Sequence, residues 1–273
     1  LSIKADVRTQ YFDLCSEMDI PFLDVIGHTR KLTDPWTEER LKIFQAALSV
    51  CDPLADRTMC QGPTFVGGSM ITTDGKILFA GESGIPDDIS FNMTMRAMQV
   101  VLRAAKISPV IGVRFQEGAA VAFAYEDGTS VIARYIEPQL PDDIFGFFAV
   151  GDDDPTLKFS EKALLEIKKA GECVWLGQPG SSTLLQGVYD ANAYKALGLV
   201  ESAALHNCPT PFMFTGQALQ FGIQLLPEFT LARLGDGASS WGLTGFGDGF
   251  AVRIMGWRDR NGDQFAHAFK EHE

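Results

Sequence analysis

The chain has 273 residues, 21% of them charged, and a net charge of −12. A strongly acidic protein repels nucleic-acid phosphate and anionic lipid unless its cations gather on one surface. Arg96, Arg103 and Lys106 share one predicted helix, Arg253, Arg258 and Arg260 lie near the end, and the other cations are scattered. Neither nucleic acid nor a membrane is therefore an expected partner.

No apolar run approaches the roughly 18 residues needed to span a bilayer, so no membrane insertion is expected. Five cysteines (Cys15, Cys51, Cys60, Cys173, Cys208) make an odd set without a dense framework, which reads as free thiols. The chain opens on Leu1, and removal of an N-terminal targeting peptide is expected on that ground. Twenty phenylalanines are a large apolar supply, to be buried in a core or under neighbouring subunits.

In chain order, Val7 to Met18 reads as a helix broken by Ile20-Pro21. Thr37 caps a helix running to Leu48, with Leu41, Phe44, Ala47 and Leu48 on one stripe. Segments 65–71 and 76–80 flank Asp74-Gly75, a hairpin signal because glycine accepts the positive φ of such turns. Met93 to Lys106 is a helix, and strands follow at 110–115, 119–125 and 130–136, the last two joined at Asp127-Gly128. Between two larger segments lie the apolar patch Ile144–Phe148 and the acidic run Gly151–Asp154. A helix over 160–170, a β-pair region over 173–176 and 183–200, and a helix over 215–226 come next. Strands at 229–234, 241–246 and 250–257 close the pattern, the last two joined at Asp248-Gly249.

The second half repeats the first. Gly68, Lys76, Leu78, Glu82 and Ser83 recur as Gly187, Lys195, Leu197, Glu201 and Ser202, at an offset of 119. Phe91, Thr94, Ala97, Gln99, Asp127, Gly128 and Val131 recur as Phe212, Thr215, Ala218, Gln220, Asp248, Gly249 and Val252, at an offset of 121. The expected fold is α+β: a tandem pseudo-twofold duplication of a helix–ββ–helix–βββ unit, with antiparallel sheets and helices packed on one face. The expected divisions are an N-terminal arm (1–33), repeat unit 1 (34–145), a linker (146–153), repeat unit 2 (154–258) and a C-terminal docking tail (259–273).

Chemistry is sparse. His206-Asn207-Cys208 lacks a second ligand pair, and the acidic run lacks the spacing of a calcium loop, so no metal is expected. The Gly-rich stretch 235–249 lacks the Lys-Ser/Thr ending of a phosphate loop. Asp127 and Asp248 sit where a hairpin needs Asp-Gly, which accounts for them without acid–base work. No cofactor and no catalytic residue are expected, and the chain reads as a non-enzyme. Gly67-Gly68-Ser69, Thr94-Met95-Arg96 and Val110–Val113 loosely resemble a diadenylate cyclase domain, although the Asp of that family is absent and only one Arg remains.

The paired blocks GGSMITTDGKILFAGES and GVYDANAYKALGLVES, the two Asp-Gly hairpins and GFAVRIMGWRDRNG resemble the pyrenoid shell proteins (PyShell) of diatoms. That resemblance implies a plastid-imported structural protein that self-assembles into a lattice around the Rubisco-containing pyrenoid and supports CO2 concentration. Its implied partners are further copies of itself, and Rubisco or other pyrenoid proteins. Phe145, Phe147, Phe148, Trp257, Arg258, Phe265 and Phe269 are the expected assembly contacts. The alternatives are a viral or bacterial shell subunit, or a degenerate nucleotide-binding enzyme of the cyclase type.

Overall fold

A computed structural model describes residues 2–5, 8–11, 28–154, 156–159, 165, 173–176, 183–187, 194–201, 212–233 and 241–256. The protein is α+β, and every strand pairing among the described residues is antiparallel.

The order strand, helix, three strands runs through the chain. It begins with β3 (Arg30–Lys31), α1 (Glu38–Leu48), β4 (Thr64–Val66), β5 (Ser69–Thr73) and β6 (Ile77–Glu82). It recurs as β7 (Phe91–Asn92), α2 (Met95–Ala105), β8 (Val110–Gln116), β9 (Ala120–Tyr125) and β10 (Ser130–Arg134). Strands β11 (Thr156–Phe159), β12 (Cys173–Leu176), β13 (Thr183–Gly187) and β14 (Tyr194–Glu201) follow. The series ends with β15 (Phe212–Thr215), α3 (Gly216–Leu225), β16 (Glu228–Arg233), β17 (Trp241–Gly247) and β18 (Phe250–Met255). Ahead of them, β1 (Ser2–Ala5) and β2 (Arg8–Tyr11) pair with each other. This pairing replaces the helix expected over 7–18 at residues 8–11, where Thr9 and Tyr11 favour extended backbone. The helix expected over 160–170 falls almost wholly outside the described residues.

The leading strands are exchanged between neighbouring sheets. β3 pairs with β8 and β7 with β4; in the second half β11 pairs with β16 and β15 with β12. β18 then pairs with β6 over five residue pairs, from Phe250 opposite Gly81 to Ile254 opposite Ile77. The result is one twelve-stranded sheet, β15-β12-β13-β14-β11-β16-β17-β18-β6-β5-β4-β7, beside a four-stranded sheet, β10-β9-β8-β3. Edges that the sequence leaves free are thus used for pairing between the halves.

Each of α1, α2 and α3 is capped by a threonine in extended conformation. Thr37, Thr94 and Thr215 accept from the amides of Arg40, Ala97 and Ala218 at 3.2, 3.2 and 3.3 Å. The α1 residues buried are the predicted stripe, Leu41, Phe44, Ala47 and Leu48. Strand alternation sorts the two faces of the sheet. Met70, Ile77 and Phe79 join the helices in the main core, while Ile71, Leu78 and Ala80 meet Ile144 and Phe148 on the other side. The main core is aromatic. Trp36 donates to the Ser83 carbonyl at 2.6 Å and meets Phe44 edge-on at 5.2 Å; Phe65 stacks on Phe91 at 4.8 Å. Much of the phenylalanine supply is therefore used internally.

The three Asp-Gly turns form as read. Gly75, Gly128 and Gly249 have φ of 86°, 84° and 71°, values that only glycine takes without strain. Asp127 Oδ1 accepts from the Thr129 amide and hydroxyl, so the carboxylate belongs to its turn.

Candidate functional site

Two surfaces stand out: the helical face of the first half, and the joint where β18 meets β6. On α1, Glu38, Glu39, Lys42 and Gln45 are exposed. Lys42 donates to Glu38 at 2.8 Å, which holds the Glu38 carboxyl below its usual range and the Lys42 amine above its own. Arg40 is folded back onto Asp34 at 2.5 Å and Glu82 at 3.7 Å. Helix α2 differs. Arg96 and Arg103 are exposed on it and make no ion pair among the described residues, and no acidic residue lies in Met95–Ala105. Lys106, its C-cap, donates to Gln45 Oε1 across the helix pair at 3.1 Å. A cleft of about 450 Å³ runs between α1 and α2.

At the joint, Phe79 stacks on Phe250 with ring centroids 5.8 Å apart. Behind it, on the side away from the helices, a cleft of about 340 Å³ is lined by Ser69, Glu82, Phe145, Phe148, Phe246 and Phe250. Phe145 is 46% exposed and Phe246 56% exposed, whereas Phe148 is buried and Phe147 half-buried against the cluster of Ile71, Leu78 and Ala80. Of the predicted contact residues, then, only Phe145 is exposed among those described. Trp257, Arg258, Phe265 and Phe269 lie outside the described residues, as do His206 and Cys208.

Among the described residues, Cys51, Arg253 and Asp154 are buried or held by neighbouring groups. Burial pushes the Cys51 thiol up to about 12, far from a reactive thiolate at neutral pH. Arg253, fully buried on β18, donates to Thr244 Oγ1 and, at 2.7 Å, to the Ala232 carbonyl; burial lowers its pKa to about 10. Asp154 accepts from the Gly151 amide at 2.6 Å, so part of the acidic run closes its own turn. No group of three His, Cys, Asp or Glu able to hold a metal occurs among the described residues. The cyclase-like segments do not assemble a nucleotide site: Gly67-Gly68 turns between β4 and β5, Thr94 caps α2 and Arg96 points to solvent from that helix.

No family model and no curated protein sequence matches the chain. Solved structures do. The DNA polymerase sliding clamp of Caulobacter crescentus aligns over 94% of this chain and 73% of its own, with a TM-score of 0.64 and 17% identity. That of Bacillus subtilis aligns over 94% and 72%, at 0.60 and 14%. That of Pseudomonas aeruginosa aligns over 86% and 69%, at 0.59 and 14%. The fold is that of the DNA polymerase sliding clamps. This chain spans about 70% of the length of the clamps it matches.

The likeness overturns the pyrenoid-shell reading and all that hung on it: the lattice around Rubisco, carbon fixation and the chloroplast location. The matched structures are bacterial clamps, and neither a viral or bacterial shell subunit nor a cyclase-like enzyme fits them. The repeat that suggested a shell tile is equally a property of an internally repeated clamp-like fold, so repetition alone could not separate the two. The exclusion of nucleic acid also falls. Net charge is an average over the surface, whereas phosphate responds to the local field. Arg96, Arg103 and Lys106 on α2 are such a local cluster, which the sum of −12 averages away.

Proposed function

We propose that this chain is a non-enzymatic, clamp-like protein that closes head to tail around duplex DNA and tethers a polymerase to it. The observation that carries the reading is the β18–β6 joint together with the edges left over. In the first half, β10 stands where β18 stands in the second, and its outer edge has no partner among the described residues. In the second half, β14 stands where β6 stands in the first. It meets β11 only through Val200 and Glu201, leaving the same side of Tyr194–Leu199 unpaired among the described residues. β10 of one copy and β14 of the next can repeat the internal joint. Such heterologous contacts close a ring when the rotation between copies returns to its start, and that is the closure proposed. With α1, α2 and α3 all on one face, a closed ring presents one helical layer to what passes through it.

The repeat units at 34–145 and 154–258 belong to this reading, with β3 (Arg30–Lys31) added ahead of the first. Phe145 keeps a contact role, now with Phe246, as the apolar patch where the polymerase docks. Trp257, Arg258, Phe265 and Phe269, in and beside the tail, are carried with it as further contacts.

Encirclement is tested on linear duplex fixed to a bead at one end. Protein added before the free end is blocked should stay bound through a wash in about 0.5 M salt, at which purely ionic binding fails. Protein added after blocking should wash away. Equal retention, or equal loss, in the two orders of addition contradicts encirclement.

A further inference from the structure

We propose that the outer face of the four-stranded sheet, turned away from the helices, is a docking surface for an acidic polypeptide segment of another protein. Lys31, Arg114 and Arg134 take its carboxylates, and Ile132 with the alanines of β9 meets its apolar side chains. This face is independent of the clamp reading, and its failure to bind leaves that reading standing.

Alternation along the strands sorts the residues of this sheet. Val113, Val121, Phe123 and Tyr125 pack inward with the helices, and the Tyr125 hydroxyl donates to the Val101 carbonyl of α2 at 3.0 Å. The intervening positions face out, where Ala120 and Ala122 form a separate cluster with Ile132 against them. The register sets Arg114 and Ile132 on either side of Ala122, Arg134 beside Ala120, and Lys31 opposite Gly112. With strands about 4.8 Å apart and residues about 3.4 Å apart along each, the Cα atoms of Arg114 and Arg134 are about 12 Å apart. Those of Lys31 and Arg114 are about 8 Å apart. Three cations thus flank a row of small side chains.

Charge selects the partner. Acidic residues outnumber basic ones in the chain, 35 to 23, yet none of β3, β8, β9 and β10 holds a carboxylate. Lys31 and Arg134 are exposed and Arg114 is half-buried, and none of them makes an ion pair among the described residues. Arg30, beside Lys31, shows the contrast: it donates to both Asp88 carboxylate oxygens, at 2.5 and 2.7 Å. Arg114 Nε donates to Thr29 Oγ1 at 3.1 Å, which fixes one side of the guanidinium and leaves its terminal nitrogens for a carboxylate fork. Unpaired cations this close repel one another, and a ligand carboxylate between them relieves the repulsion.

Two features favour polypeptide over nucleic acid. Ile111, 47% exposed at the bulge of β8, and half-buried Ile132 offer apolar surface that a phosphate backbone does not use. The turns at the two ends of β9 carry Glu117 at one and Glu126 with Asp127 at the other, about 20 Å apart. Phosphates running along the sheet would meet carboxylates at each end, whereas a segment about as long as β9 fits between them.

The test is binding of a short fluorescent peptide of alternating Glu and Val to the full chain, followed by anisotropy in low salt. Saturable binding is expected, and it should be lost when Gln replaces Glu in the peptide. Arg114→Gln and Arg134→Gln should each weaken binding about threefold, and together about tenfold, the scale of exposed charge pairs. Arg134→Lys keeps the charge and should bind nearly as the wild type does. Arg57→Gln, ahead of the short turn Thr58–Cys60 and off this sheet, should change nothing. Changing the peptide leaves the protein intact, so the Gln peptide tests the charge requirement even where a variant melts early. No saturable binding by the wild-type protein, or equal binding of the Gln peptide, overturns the proposal. Unchanged affinity in the double variant overturns it too. An oligothymidylate that binds more tightly than the peptide, and loses affinity in the same double variant, assigns the face to nucleic acid and equally overturns it.

Discussion

Helices α2 and α3 occupy equivalent places and answer different demands. Both follow a short exchanged strand, both start from a threonine cap, and both lead to three strands closed by an Asp-Gly turn. At the offset of 121, buried Met98 and Leu102 of α2 correspond to buried Leu219 and Ile223 of α3. The exposed positions diverge: Arg96 corresponds to Gln217 and Arg103 to Gln224, and Gly216–Leu225 holds no charged residue. Caps and core are what the fold requires, so they persist in both copies. Surface charge is not constrained by the fold, so where it differs between matched positions it reports what the surface meets.

The equivalence of the two helices is most exposed to test in the core. Met98→Ala and Leu219→Ala should each cost about 2–5 kcal/mol in denaturant unfolding, the range for large-to-small changes at buried sites. A large cost at one and none at the other would deny that the two helices are packed equivalently. Next comes a pH test of a feature that only the first half shows among the described residues. The buried Cys51 thiol is raised from 9.0 to about 12, so its contribution is complete below about pH 9 and is lost as pH rises toward 12. The loss should run at up to about 1.4 kcal/mol per pH unit, and Cys51→Ala should remove that slope from the alkaline limb. The caps are smaller: Thr94→Ala and Thr215→Ala should each cost about 1 kcal/mol, and unequal losses would show that one cap is redundant. Smallest in stability are the charge exchanges. Gln217→Arg with Gln224→Arg should change stability by no more than about 0.5 kcal/mol. If α3 faces the same DNA, the pair should steepen the salt slope by about 1.8; no change would place α3 out of reach of phosphate.

Much of this was legible in the chain. Periodicity named α1, α2 and α3 and the strands between 110 and 134, because each has a buried stripe or alternation long enough to register. The Asp-Gly turns were legible because their geometry demands glycine. What sequence could not supply was the strand before each helix: β3 and β7 are two residues long, too short to show a period. Without them, and with 65–71 read as one strand although Gly67-Gly68 turns the chain between β4 and β5, the motif reads as helix–ββ–helix–βββ and the exchange between sheets is invisible. The joint was hidden for another reason. Phe79 and Phe250 are 171 positions apart, and nothing local marks either as an edge partner. At the candidate site, Arg96, Arg103 and Lys106 were visible as a set, but the absence of acids around them is a fact of three dimensions. Phe145 was readable as apolar, while its neighbour Phe246 was not distinguished from the Gly-rich turns beside it.

Closure of copies around DNA through β10 and β14 is open to direct measurement. Carried over from the β18–β6 register by the two offsets, Val131 should face Gly198 of the next copy. Val131→Cys with Gly198→Cys, joined by a short bis-maleimide in the presence of a closed circular plasmid, should give a protein–DNA species that survives SDS and is released when the plasmid is cut. A covalently closed multimer that never remains with the circle would contradict encirclement through these edges.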